Sequence, residues 1–368
     1  MRQRFLDYNC GHRIVSIAHD PETKADLTED GLHFIYTAEG KPVLYPDQTN
    51  LHINQDLSYE LAYSHNYDVL EIWENGEIQW QYKDTWSDNT FFLTGKCNSN
   101  CIMCPVPEFV RKNVENTNIR DLIETARHMP TSIRHITVTG GEPFMVGEEI
   151  FILLDFLRNK FNETEFLILT NGRIFALDKY VQLACRSMPV NTVFGIPIHG
   201  ASPTIHDAIT RSKGSYDQTI TGIKKLLAVG IPIELRFVVT KINIGEFSGI
   251  ADLIIREIPQ IHHICVMAPE MTGNAYINRN DVWISYSSAF EEISSSVAYL
   301  INNGIDVKIY NFPLCTIGKE FRMLCTKSIS AEKIRYADCC VICKYKDSCG
   351  GVFAGTLNLE KDDLRPIS

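Results

Sequence analysis

The sequence predicts an α/β protein built on a parallel sheet, with a small β-rich segment before it and a cysteine-rich segment after it. Three observations lead there. From residue 89 onward, short apolar strand patterns alternate with amphipathic helix patterns six times, over short connections. Within residues 1–88, strand-like runs recur at 32–36, 69–73 and 78–82, and the last two flank Asn75-Gly76, a strong hairpin signal. In the span 285–368, six of the twelve cysteines crowd into 35 residues, where an even spread would put about one.

The bulk numbers bound the function. The chain has 368 residues, too many for one average domain, and 45% of them are apolar, ample for a core. Its formal charge is −10, which argues against nucleic acid as a partner and is compatible with a basic peptide. Residues 1–8 lack the apolar core of a signal peptide, and no run has the apolar length of a membrane helix. The expected setting is cytoplasmic, where thiols stay reduced and cysteines read as metal ligands rather than disulfides.

The elements follow in order. An apolar strand at 91–94 leads into a loop. A helix at 119–129 carries Leu122, Ile123 and Ala126 on one face, and a strand at 135–139 follows. A helix at 148–160 has Ile152, Leu153, Phe156 and Leu157 spaced for burial. The strand at 166–169 ends in Thr170-Asn171-Gly172, and a helix near 178–184 leads to a strand at 192–198. The helix at 216–229 stops at Gly230, a favoured residue just past a helix end. Pro232 opens the strand at 233–239. A helix at 247–257 precedes the last strand of the alternation, 263–267. Beyond it, 285–303 reads as an amphipathic helix bearing Phe290, Ile293, Val297, Leu300 and Ile301, with a strand at 305–309. This divides the chain into 1–88, 89–284 and 285–368.

Two motifs carry chemistry. Cys97, Cys101 and Cys104 share the loop leaving the first strand's C-terminal end, the edge where sites collect in α/β folds. Three thiolates from one loop can hold three corners of a cubane iron–sulfur cluster, leaving one iron open for a substrate or cofactor. A closed zinc site wants a fourth ligand nearby, and the loop offers no obvious one. The second motif is Gly140-Gly141-Glu142-Pro143, directly after the next strand; alone it reads as a simple turn.

Together, in this order and context, the two resemble the CxxxCxxC signature and the S-adenosylmethionine (SAM) binding motif of the radical SAM superfamily, whose pattern extends over roughly residues 88–355. The resemblance implies a partial (β/α)₆ barrel of the TIM type, open at its side to a large substrate such as a peptide. It implies a [4Fe–4S] cluster held by Cys97, Cys101 and Cys104 and by SAM. One electron then splits SAM, and the 5′-deoxyadenosyl radical removes hydrogen from an unactivated carbon. Gly140 and Gly141 would let backbone approach the cofactor, with Pro143 completing the motif, and Glu142 would accept from the SAM ammonium group. Asn171 stands where the family places a polar ribose contact, or else serves an Asn-Gly turn. His199 falls on the same rim. Arg211, closing a stretch 206–211 that resembles the family's, would meet the SAM carboxylate or simply face solvent. Residues 267–274 would close over adenine.

Cys340-Val341-Ile342-Cys343 with Cys349-Gly350-Gly351 resembles the SPASM/twitch-type extension of peptide-modifying members, with Cys315 as fourth ligand. The spacing departs from the full two-cluster pattern and implies one auxiliary [4Fe–4S] cluster. Cys325 and Cys339 are spare, and either is able to replace one of the four. A zinc ribbon-like site is the alternative, since thiolate spacing does not separate the metals. Cys10, Cys185 and Cys265 read as small buried thiols. Within the superfamily these motifs look most like the maturases of His-Xaa-Ser repeat systems, the HxsC type. That implies modification of a ribosomally made precursor peptide, an oxidative cross-link being one outcome. A reductant such as flavodoxin or ferredoxin and a second radical SAM maturase would be the partners. A sulfatase-maturase-like side-chain oxidase is the other enzyme reading, though no general base stands out. An iron–sulfur electron-transfer or scaffold protein would have no use for a SAM pocket.

Overall fold

The computed structural model describes residues 4–37, 41–86, 88–113 and 116–368. Among them no helix is long and apolar enough to cross a membrane.

The first segment forms a six-stranded mixed sheet, in the spatial order Thr49–Asn50, Val43–Tyr45, Phe34–Tyr36, Arg13–Ala18, Val69–Ile72, Ile78–Tyr82. The Asn75-Gly76 hairpin forms as expected. Gly76 has φ 78°, and a Cβ on it would stand 2.4 Å from the Phe5 carbonyl oxygen, so only glycine fits. The strand Arg13–Ala18 lies at the sheet's centre and shows no period-two signature, because both of its faces are buried. Val15 and Ile17 join a core with Leu57 and Leu61. On the other face, Ile14 enters the main core, and the Ser16 hydroxyl lies 2.8 Å from His128 Nδ1 on the barrel helix Ile119–His128. The β-rich segment is thereby packed onto the barrel.

The expected α/β alternation is present. Strands Thr90–Phe92, His135–Thr139, Glu165–Leu169, Thr192–Pro197, Ile233–Val238 and His263–Met267 lie side by side, all parallel. The sheet continues past these six. Val307–Tyr310 pairs in parallel with His263–Met267, and the short Cys325–Thr326 adds an eighth strand. The strand read as part of a separate C-terminal unit is thus the barrel's seventh, with Tyr286–Asn302 as its preceding helix. Val307 and Ile309 place their side chains in the same core as Ile264 and Val266, which is what draws the strand onto the sheet. The first and eighth strands do not pair, and the barrel stays open.

Helix positions follow the apolar spacing with two corrections, one being Ile301 on Tyr286–Asn302, which is exposed while Phe290, Ile293, Val297 and Leu300 are buried. On Glu149–Lys160, Ile152 is 62% exposed, while Ile150, Phe151, Leu153, Leu154 and Leu157 are buried, so the buried face is centred one residue away from the expected one. The helix Ser215–Ala228 ends at Gly230 (φ 79°). There Gly230 N–H bonds to Leu227 O at 3.0 Å and Ile231 N–H to Leu226 O at 3.1 Å, the paired closure that a left-handed glycine permits. Of the cysteines read as buried thiols, Cys265 is buried, but Cys185 is exposed and Cys10 half-buried.

Candidate functional site

The carboxyl ends of the parallel strands carry both expected motifs. Cys97, Cys101 and Cys104 leave the first strand, and Gly140-Gly141-Glu142-Pro143 leaves the second. The two loops are zipped together: Gly141 N–H donates to Thr94 O at 2.7 Å and Glu142 N–H to Lys96 O at 2.8 Å. A Cβ on Gly140 would lie 2.6 Å from Thr94 O. One on Gly141 would lie 2.5 Å from Lys96 O and 2.6 Å from Gly95 O. In the structure, then, the glycine pair serves the close approach of backbone to the cysteine loop itself.

Glu142 is 2% exposed and reaches the end of the third strand. Its Oε1 accepts from Thr170 Oγ at 2.7 Å and Phe144 N–H at 3.3 Å, and its Oε2 accepts from Asn171 N–H at 2.7 Å. Burial raises its carboxyl pKa, and these donors oppose the rise. Asn171 joins the same junction. Its Nδ2 donates to Asn98 Oδ1 at 2.6 Å, and its Oδ1 accepts from Arg173 N–H at 3.1 Å, so the Asx turn and a contact with the cysteine loop coexist. Arg211 sits in the left-handed region (φ 52°) just past the helix Pro203–Thr210 and bonds Asn278 Oδ1 at 3.0 Å. With Lys96, Cys97 and Met145 it bounds a cavity of about 420 Å³, within the range of small-molecule sites. His199 is buried against His206, their ring centres 5.4 Å apart, and its backbone N–H donates to His206 Nδ1 at 3.2 Å. Burial holds both imidazoles below their usual range, His206 at about 4.

Several side chains that the motifs did not announce brace the cysteine loop. Arg173 donates to Asn98 O at 2.7 Å and Ser99 Oγ at 3.1 Å. Buried Arg111 reaches Ser99 O at 3.2 Å and Asn100 Oδ1 at 2.9 Å. The segment after the sixth strand, read as an adenine cover, packs on this loop: Asn274 Nδ2 donates to Cys101 O at 3.1 Å and its N–H to Cys104 O at 2.9 Å. The sequence signal available for these was only an Asn or Arg near a strand end. Burial raises the thiol pKa of Cys97 and, with help from its two neighbours, takes Cys101 to about 12, so ligation there would release protons.

Cys315, Cys340, Cys343 and Cys349 line one cavity together with Leu364, Arg365 and Ile367. Backbone N–H groups of Leu314 and Gly351 point at Cys349 Sγ, both at 3.4 Å, and Ile367 N–H points at Cys343 Sγ at 3.3 Å. Four cysteines lining one cavity, with N–H groups at the sulfurs of Cys343 and Cys349, suit thiolate ligation of a cluster; their sulfurs are not gathered within 4.8 Å of one another as around a single ion. Cys325 lies on the eighth strand, and Cys339 Sγ points to Leu364 O at 3.7 Å; neither lines the cavity.

Comparison with known proteins agrees with this architecture. Residues 91–254 match the family model of the radical SAM superfamily. A GTP 3′,8-cyclase of Petrotoga mobilis is 29% identical over 200 residues, covering 51% of this chain and 59% of the cyclase. The Bacillus subtilis antilisterial bacteriocin subtilosin biosynthesis protein AlbA is 27% identical over 166 residues, covering 45% of this chain and 36% of AlbA. The chain therefore spans less than two thirds of either relative. The crystal structure of Streptococcus suis SuiB bound to precursor peptide SuiA shares the fold, with a TM-score of 0.50 at 14% identity, over 60% of this chain and 48% of SuiB. A domain of this superfamily implies a [4Fe–4S] cluster and SAM, and the cysteine loop facing the cavity beside Cys97 has the donors for the first. The partial α/β barrel that holds Cys97, Cys101, Cys104 and Glu142 is a radical SAM superfamily domain.

Proposed function

We propose that the chain is a radical SAM maturase of a ribosomally synthesised peptide, of the His-Xaa-Ser system kind, with one auxiliary cluster in a SPASM/twitch-like C-terminal extension. The observation that carries this reading is the convergence of Cys315, Cys340, Cys343 and Cys349 on one cavity, on the same sheet edge as the three-cysteine loop. A relative named for bacteriocin biosynthesis supports the peptide substrate.

Cys97, Cys101 and Cys104 would hold the first cluster. Bound together, cluster and SAM supply one-electron cleavage and hydrogen abstraction. The chain's own residues position this chemistry: Glu142 and Asn171 fix the second and third strand ends, and Arg211 offers a cation to a carboxylate in the cavity beside Cys97. Cys315, Cys340, Cys343 and Cys349 would hold the auxiliary cluster with no iron left open, suited to taking the electron that a substrate radical gives up as it becomes an oxidised product. The open barrel leaves room for a peptide, supplied with electrons by a flavodoxin or ferredoxin and handled alongside a second maturase.

The test is anaerobic reconstitution with SAM, reductant and a short His-Xaa-Ser-rich peptide. Expected are 5′-deoxyadenosine release and a peptide mass loss of about two hydrogens, with GTP inert in the same assay. Deoxyadenosine release with GTP conversion and unchanged peptides would overturn the peptide assignment.

A further inference from the structure

The barrel interior holds a second constellation that neither motif includes. On each strand the residues packed on helices alternate with residues that face inward. Leu235 and Phe237 pack on the helix side, as do Ile264 and Val266, which turns Glu234, Arg236, His263 and Cys265 inward. Gly195 makes room on this face: a Cβ there would lie 2.7 Å from Leu169 Cδ2 and 3.3 Å from Arg236 Cδ.

Glu234, His263 and Cys265 each offer one ligand atom, and the three atoms lie within 4.8 Å of one another. All three residues are buried: Glu234 is 6% exposed, His263 4% and Cys265 0%. Each donor has a second group behind it. Glu234 Oε1 stands 2.9 Å from Arg236 Nε. His263 Nδ1 lies 2.6 Å from His262 Nδ1, which turns Nε2 toward Glu234 Oε2 at 3.1 Å. The Tyr310 hydroxyl lies near the Cys265 thiol, whose pKa burial pushes up to about 12. Yet His263 Nε2 and Glu234 Oε1 are off the geometry of any hydrogen bond, although buried polar atoms nearly always make one.

Imidazole, carboxylate and thiolate converging in a dry interior, each steered by an outer partner, is the arrangement of a transition-metal site. We propose that Glu234, His263 and Cys265 bind one divalent ion of the zinc class inside the barrel. Three protein ligands leave one tetrahedral position for a water or a substrate oxygen, as in zinc sites that act as Lewis acids. The set excludes magnesium and calcium, which want oxygen alone. The site is separate from both cysteine sets and does not depend on the peptide reading.

The test uses the full chain with its clusters reconstituted, incubated with zinc and desalted. Metal analysis should find about one zinc per chain, and zinc-edge X-ray absorption should show a single sulfur near 2.3 Å among nitrogen and oxygen near 2.0–2.2 Å. Cys265→Ala and His263→Gln should each lower bound zinc at least ten-fold with iron unchanged. Less than about a tenth of a zinc per wild-type chain, a zinc shell of sulfur only, or zinc retained in Cys265→Ala would each overturn the proposal. The wild-type spectrum decides the matter even if the variants do not fold.

Discussion

Gly141→Ala tests how the two site loops are joined. The added Cβ would sit 2.5 Å from Lys96 O, 2.6 Å from Gly95 O and 2.9 Å from Lys96 C, all backbone atoms that cannot rotate away. Relief to ordinary contact needs about 0.9 Å of separation between the loops. That movement stretches both Gly141 N–H to Thr94 O and Glu142 N–H to Lys96 O. Two backbone hydrogen bonds at about 1 kcal/mol each, plus about 1–3 kcal/mol for overpacking, give a loss of roughly 3–5 kcal/mol. At about 2 °C per kcal/mol for a chain of this length, melting should fall by roughly 6–10 °C. Gly141 has no positive φ, so the cost is one of space and not of conformation. Because Gly95 and Lys96 lead directly into Cys97, the displacement also moves a thiol of the site. A shift near 1 Å costs on the order of 100-fold where geometry controls chemistry, so 5′-deoxyadenosine release should drop by about that factor. Gly245→Ala is the control: nothing lies within 4 Å of its Cβ position, and the change should stay within about 0.5 kcal/mol. Differential scanning fluorimetry, iron analysis and deoxyadenosine chromatography on the three proteins give the answer. A Gly141→Ala protein that melts, binds iron and cleaves SAM like wild type refutes the argument.

Replacing Cys97, Cys101 and Cys104 together with Ala should remove about four irons per chain and abolish SAM cleavage, read by iron assay and by deoxyadenosine release. Cys340→Ala with Cys343→Ala should leave the first cluster's spectrum and SAM cleavage in place while modified peptide falls; an unchanged rate of modification in the folded variant would make the C-terminal set purely structural. Glu360 responds to pH in a defined direction. Its carboxyl is buried and is lifted to about 8, first by burial and then by Asp363. A folded value above the unfolded one means that its contribution to stability is complete below about pH 4.5 and is lost as pH rises through 8. Glu360→Gln should therefore raise melting at pH 8 and leave it unchanged at pH 4.5, and equal effects at both pH values would remove the carboxyl as the cause.

Much of this was legible because it rests on local rules. Gly230 ends its helix and Asn75-Gly76 turns its hairpin, and the family resemblance named Cys315, Cys340, Cys343 and Cys349, which line one cavity. What was not legible depends on what lies across a face. Arg13–Ala18 is sandwiched between its own core and the barrel helix, so it carries apolar residues on both sides and no alternation. Val307–Tyr310 shows its strand pattern in sequence, but only pairing reveals that it extends the barrel sheet across a long connection. Cys265 stands alone in sequence, with no cysteine near it, and meets His263 and Glu234 only because residues two apart on a strand share a face and neighbouring parallel strands place that face in register. Arg111 and Arg173 could not be told from surface arginines until the loop carbonyls they hold were in place.

The long connection after the sixth strand has a physical role that its sequence alone does not disclose. It touches the cysteine loop on one side: Asn274 and Asn278 hold the carbonyls of Cys101 and Ile102, and Gly273 lies so close to Pro105 that a Cβ would meet its carbonyl oxygen at 2.2 Å. On the other side it touches the C-terminal segment. Glu270 pairs with Lys333 at 3.2 Å, a Cβ on Gly355 would stand 2.6 Å from Met271 O, and Asn311 Nδ2 donates to Ala268 O at 3.1 Å. Asn311 is four residues before Cys315 and holds a left-handed backbone (φ 67°), which the bond to Ala268 and another from Ser328 Oγ at 2.8 Å keep in place. The first cysteine set leaves the first strand, whereas Cys315 follows the seventh strand and Cys340, Cys343 and Cys349 come after the eighth, in a sheet that does not close. A packed segment with close backbone contacts on both sides braces their separation across the open side, in addition to the strand pairing that runs from the first strand to the eighth. Under the function proposed above, in which both cysteine sets hold clusters, residues 268–278 would set the separation between the two centres.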